Sequence, residues 1–182
     1  MSIVAIRALQ AGYAILALGL IASCARAAEP WERFIGEYQG QAVTDTGGVV
    51  TDRDLEVVIG ALDPGFSVSW TSVTRRADGR VKRKQYSIDF RPSRRKGVYE
   101  SAMRKDLFGN RTPLDPMRGD PYVWARINGD TLSVFSLLIT DDGGYDMQVY
   151  HRTLVEGGIA LRYSRFAEGE QLRTVEGLLR RR

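Results

Sequence analysis

From residue 34 onward, apolar residues recur at every second position along most of this chain. Leu55, Val57 and Ile59 alternate with Asp54 and Glu56; Phe66, Val68 and Trp70 alternate with Ser67, Ser69 and Thr71; Tyr86, Ile88 and Phe90 share one face. A period of two is the mark of strands with one face buried, and hardly any segment shows the 3.6-residue period of a helix. Turn residues interrupt the pattern regularly: Thr46-Gly47-Gly48, Asp63-Pro64-Gly65, Ala77-Asp78-Gly79, Asn128-Gly129-Asp130, Asp141 to Gly144, Glu156-Gly157-Gly158 and Glu168-Gly169-Glu170. Proline fixes φ, and glycine and asparagine tolerate positive φ, so these are turns with a mechanism. The pattern predicts about ten strands, at 34–44, 54–61, 66–76, 80–91, 97–104, 122–127, 131–140, 145–155, 159–166 and 171–179. Short connections make them an antiparallel up-and-down meander. Such a sheet hides its edges by closing into a barrel, so the expected class is all-β, one domain over 28–182. A sandwich is the rival, but it needs longer crossovers, and only residues 105–121 supply one.

Residues 1–27 have a different character. Arg7 precedes an apolar run, AGYAILALGLIA, and small residues surround Cys24 and Ala27. That order is expected of a signal-peptide helix, and about a dozen apolar residues are too few to span a bilayer, which takes roughly 20. Two processing sites compete. Ala25-Arg26-Ala27 favours cleavage before Ala28; Ile21-Ala22-Ser23-Cys24 resembles a bacterial lipobox, in which Cys24 carries acyl chains and tethers the protein to a membrane. Arginine dominates the basic residues, only Lys82, Lys84, Lys96 and Lys105 being lysine, a bias common in GC-rich bacterial genomes. The expected location is the periplasm of a Gram-negative bacterium, or its membrane through Cys24.

Cys24 is the single cysteine, so the folded domain has no disulfide and must be held by its core. The formal charge of +4 includes Arg7 and Arg26, which leaves +2 after residue 27. So weak a surplus, on an exported chain, argues against a nucleic-acid partner.

The first strand opens with Trp31-Glu32-Arg33-Phe34-Ile35-Gly36-Glu37-Tyr38-Gln39-Gly40. An aromatic, a glycine and another aromatic at the head of a meander resemble the calycin group, which includes lipocalins, fatty-acid-binding proteins and nitrobindin-like barrels. Ten strands resemble the fatty-acid-binding and nitrobindin layouts more than the eight-stranded lipocalins. The resemblance implies a cup for a small apolar or amphipathic ligand. Trp70, Tyr86, Phe90 and Trp124 would line it and Arg126, beside Trp124, would orient a headgroup; the bland alternative is that the aromatics are simply core. It also allows His151 as an axial haem ligand. His151 is the only histidine, which excludes sites needing two, and as one of Tyr145, Met147, Val149 and His151 it reads more plainly as a packed residue on an inward face. No other cofactor and no metal site is indicated.

No catalytic constellation stands out: there is no G-x-S-x-G elbow, and Asp141, Asp142 and Asp146 read as turn residues around Gly143-Gly144. The hairpin tip carrying Arg80, Lys82, Arg83 and Lys84 is positive on both faces, which suits a solvated edge or attraction to an anionic surface. Residues 105–121, with Leu107, Phe108, Leu114 and Met117, could fold over a barrel mouth as a lid. Two functions follow. One is an exported, non-enzymatic barrel binding a small amphipathic ligand. The other is an envelope interaction protein with a filled core and a basic patch for membrane or envelope partners.

Overall fold

Turns form where the chain can adopt positive φ. Gly129 closes the turn after Asn128, Gly143 and Gly157 lie in the next two hairpins, and Glu168 with Gly169, both at positive φ, in the last. The computed structural model describes residues 28–46, 49–75, 80–101, 104–105, 111–112 and 114–182. The signal-peptide helix, Cys24 and part of the expected lid, including Leu107 and Phe108, lie outside the described residues.

The strands are β1 (Gly36–Thr46), β2 (Val49–Leu62), β3 (Gly65–Arg75), β4 (Val81–Pro92), β5 (Val98–Ser101), β6 (Arg104–Lys105), β7 (Arg111–Thr112), β8 (Tyr122–Asn128), β9 (Thr131–Ile139), β10 (Tyr145–Val155), β11 (Gly158–Ala167) and β12 (Glu170–Arg181). Ten of them close an antiparallel meander barrel in the order β1-β12-β11-β10-β9-β8-β5-β4-β3-β2, while β6 and β7 form a separate two-stranded ribbon. The expected barrel is therefore present and the sandwich is not.

The seam between β1 and β12 depends on missing side chains. A Cβ on Gly40 would stand 2.3 Å from the Leu178 carbonyl oxygen, and one on Gly177 would stand 2.6 Å from that of Gln41. Glycine lets the two backbones approach there. The opposite wall is thinner. β5 stops at Ser101, sooner than the sequence pattern suggests, and pairs with β4 and with β8 over three residues each. Among the described residues beyond it, Arg104–Lys105 and Arg111–Thr112 pair with each other outside the barrel sheet, and a short 3-10 turn, Pro116–Arg118, is capped by Asp115, whose Oδ1 accepts from the Met117 N–H.

One end of the barrel is plugged. The 3-10 turn Glu32–Phe34 carries Phe34, which is fully buried, across it. Phe66 stacks on Phe90 at 5.2 Å, on Trp31 at 6.2 Å and edge-on to Tyr99 at 5.1 Å. Val57, Ile59, Val68, Leu132, Val134, Ile159 and Leu179 fill the layer above. Arg181 lies over the Tyr38 ring and donates to the Tyr38 hydroxyl at 2.7 Å and to the Arg33 carbonyl at 3.1 Å; Tyr38 donates in turn to the Phe34 carbonyl at 2.7 Å. Nearly every polar group of the plug is thereby satisfied, as burial requires.

Candidate ligand cup

The other half of the interior is built differently. Register sets which side chains enter it. Arg152 faces Leu132 on β9 and Leu161 on β11, both buried, while Tyr150 faces Val134 and Tyr163. The inward face of β10 is thus Asp146, Gln148, Tyr150, Arg152 and Leu154. This corrects the expectation that Tyr145, Met147, Val149 and His151 point inward. The error has a physical source: β10 turns its apolar face, Tyr145, Met147 and Val149, to the outer wall and its more polar face to the interior, so apolar alternation selects the wrong phase.

A cavity of about 230 Å³ occupies this half, lined among others by Trp70, Lys84, Tyr86, Tyr150, Tyr163 and Arg173. Trp70 stacks on Tyr86 at 5.1 Å and meets Tyr150 at 5.2 Å; Tyr150 packs on Tyr163 at 4.6 Å. Beneath these rings lies Arg152, only 1 % exposed. Its guanidinium sits 5.6 Å from the Trp70 centroid and 5.5 Å from that of Tyr150. No carboxylate pairs with it among the described residues, and its Nε and Nη1 have no hydrogen-bond partner. Burial pulls its pKa down to about 10, against a smaller opposing pull from Tyr150, so it stays charged at neutral pH. Burial likewise raises the Tyr150 hydroxyl, which stays neutral. The buried Nε of Arg173 is also unpartnered.

One acid enters this half. Asp146, 7 % exposed, accepts from Arg165 Nε at 2.7 Å, and its Oδ1 is free of any partner. It is not the turn residue expected from the sequence; Asp142 fills that role, accepting from the Gly144 N–H and the Thr140 hydroxyl. Lys84, Arg152, Arg165 and Arg173 thus outnumber Asp146, and the cup has a positive interior. Larger concavities of about 980 and 460 Å³ lie against the outer wall, and among the described residues neither is lined by an unpartnered buried polar group.

The residues singled out from sequence divide three ways. Trp70 and Tyr86 line the cup, Tyr86 at its rim and 46 % exposed. Phe90 is fully buried in the plug and fills space. Trp124 and Arg126 are on the outer wall, Trp124 stacked on Phe135 at 4.9 Å and Arg126 exposed, so neither lines the cup. Along the hairpin, Arg80 and Arg83 are exposed and Lys84 reaches the cup rim, whereas Arg83 lines the outer concavity; the Lys82 side chain is outside the described residues. His151 is also on the outer wall, its Nδ1 2.8 Å from the Ser133 hydroxyl, and burial and Arg162 lower its pKa. It cannot reach a group held inside the cup. Met117, expected in a lid, is 81 % exposed. Arg152 was missed altogether. The one signal for it was a charged residue in phase with Tyr150 and Leu154, visible only once the phase of β10 is known.

No protein-family model matches the chain, and no curated protein matches its sequence. Among solved structures it is similar to the S-type phycobiliprotein lyase CPES from Guillardia theta, with 7 % identity and a TM-score of 0.37, over 84 % of this chain and 90 % of that one.

Proposed function

We propose that the barrel binds a small amphipathic anion, its charged head against Arg152 and its apolar part among Trp70, Tyr86, Tyr150 and Tyr163. The observation that carries this is the Arg152 guanidinium, buried against the Trp70 and Tyr150 rings that line the cup, with Nε and Nη1 unpartnered. A buried charge without a partner is costly, and cation–π contacts of about 2 kcal/mol when desolvated do not replace its lost hydration. A carboxylate would supply both the opposite charge and acceptors for Nε and Nη1. Size narrows the class. The space of 230 Å³ exceeds the roughly 150 Å³ that holds a benzene, but is too small for an extended lipid chain. Aromatic walls then favour a one-ring or short-chain monoanion.

The test is calorimetric titration of the purified protein with benzoate and with benzyl alcohol, which match in ring and differ in charge. Binding of benzoate alone, lost in Arg152→Met, is the expected result. Equal binding of both, or binding unchanged in the variant, overturns the reading. Export belongs to the same proposal and rests on residues 1–27 alone. The intact mass of protein from its own host would show cleavage before Ala28, acylation at Cys24, or neither.

A further inference from the structure

The ring row of the cup has an arginine with an unmet N–H on each side of it. Tyr150 of β10 faces Tyr163 of β11, which faces Val175 of β12. Two residues deeper on β10 is Arg152, with Nε and Nη1 unpartnered. Two residues toward the mouth, Gln148 faces Arg165 and Arg165 faces Arg173, so these three form the next inward row, and all three line the cavity. At about 3.3 Å per residue along a strand, the backbones of the two polar rows stand about 13 Å apart, with the tyrosine row between them. Burial raises the Tyr150 pKa, and the charges of Arg152 and Arg173 both pull it back, so each is within electrostatic reach of that hydroxyl.

The mouth-side row is not uniformly satisfied. Arg165 sets Nε 2.7 Å and Nη2 2.5 Å from Asp146 Oδ2, so its charge is answered. Gln148 Oε1 accepts from the Tyr150 hydroxyl at 3.2 Å. Arg173 Nε is buried with no partner.

The two arginines call for different groups. Arg152 is 1 % exposed and lacks two acceptors, so a counter-charge suits it. Arg173 is partly exposed and its buried vacancy is a single N–H, which one neutral oxygen satisfies. A second carboxylate there would be repelled by Asp146, the next inward residue of β10, whose buried Oδ1 is itself without a donor. A hydroxyl both accepts and donates, so it suits a setting that holds an unmet donor and an unmet acceptor.

We infer that the ligand of the cup is a one-ring hydroxy acid, its carboxylate on Arg152 and a hydroxyl across the ring accepting from Arg173 Nε. This rests on the reading of Arg152 as the anion seat and adds a second pole to it. A hydroxyl para to the carboxylate points toward the mouth-side row, whereas an ortho one stays at the deep end, away from Arg173. A space of 230 Å³ holds one ring with a small group at each end.

Calorimetric titration of the purified protein with benzoate, 4-hydroxybenzoate, 2-hydroxybenzoate and terephthalate tests this. 4-Hydroxybenzoate should bind about tenfold tighter than benzoate, the gain expected of one hydrogen bond from a charged donor, and 2-hydroxybenzoate no tighter than benzoate. In Arg173→Met, shown to be folded by its Tm, that tenfold ratio should fall to about one, whatever the variant does to benzoate itself. A para hydroxyl that gains nothing, an equal gain from the ortho hydroxyl, or a ratio that survives in Arg173→Met overturns the inference and leaves the anion seat standing. Terephthalate binding tighter than 4-hydroxybenzoate also overturns it and assigns the second pole to an anion. Failure of benzoate and 4-hydroxybenzoate alike to bind overturns the anion seat, and this inference with it.

Discussion

Two arginines each lie over a tyrosine ring in this barrel, and they have opposite circumstances. At the plugged end, Arg181 sits 5.3 Å from the Tyr38 centroid and spends its N–H groups on the Tyr38 hydroxyl and the Arg33 carbonyl. In the cup, Arg152 sits 5.5 Å from the Tyr150 centroid, more deeply buried, with two nitrogens unmet. The plug is not flawless, since Trp31 Nε1 has no partner. Yet it leaves no charge unanswered, whereas the cup leaves Arg152, Arg173 and one oxygen of Asp146. The same residue types thus close one half of the interior and leave buried polar groups unmet in the other.

The largest effects should come from the plug. Phe66 is fully buried and touches Trp31, Phe90 and Tyr99, so Phe66→Ala removes the ring that joins them. A loss of about 3 to 5 kcal/mol is expected, seen as a fall in Tm of roughly 10 °C. A loss below about 1 kcal/mol would mean that the aromatic plug is not the anchor of the fold.

Next comes the cup, with a change of sign. Arg152→Met fills similar volume and removes a charge that burial penalises, so apo stability should hold or rise by about 1 to 3 kcal/mol. Affinity for a bound anion should fall by about 2 kcal/mol or more, some thirtyfold. A clear drop in Tm would instead make Arg152 a structural residue and would erase the contrast with Arg181. Arg181→Met is the matched control. It removes a donor to the Tyr38 hydroxyl, while the exposed Arg33 carbonyl regains water, so stability should fall by about 1 kcal/mol while anion binding stays unchanged. Denaturant titration and calorimetry on the two variants read both quantities.

The inward faces of the first four strands were legible in the sequence and those of the later strands only half so, for one physical reason. Strands β1 to β4 alternate cleanly, with Leu55, Val57 and Ile59 against Asp54 and Glu56, so their inward faces follow from period two. Trp70 and Tyr86, read as inward on that basis, line the cavity. β8 and β9 bury one apolar face and carry a second on the outside, and β10 turns its apolar face outward and its polar one inward, so alternation does not say which face is buried. Trp124 and Arg126 were accordingly assigned to the interior, and Arg152 to the exterior by default. The outer apolar face is the cause of that misreading.

The smallest effects sharpen the comparison at the level of single hydroxyls. Tyr38→Phe removes one oxygen that donates to the Phe34 carbonyl and accepts from Arg181, both at 2.7 Å, in a fully buried setting. Water cannot replace it there, so about 1 to 1.5 kcal/mol should be lost. Tyr150→Phe removes a hydroxyl that donates to Gln148 Oε1 at 3.2 Å beside a cavity able to hold several waters. Gln148 and its neighbours keep access to solvent through the cup mouth, so the loss should stay below about 0.5 kcal/mol. The ring itself remains, and with it the contact to Arg152, so anion affinity should change only a fewfold. Urea denaturation resolves a difference of this size between the two variants. Equal losses would place Tyr150 in the same closed, fully satisfied packing as Tyr38, and the cup would then be an extension of the core.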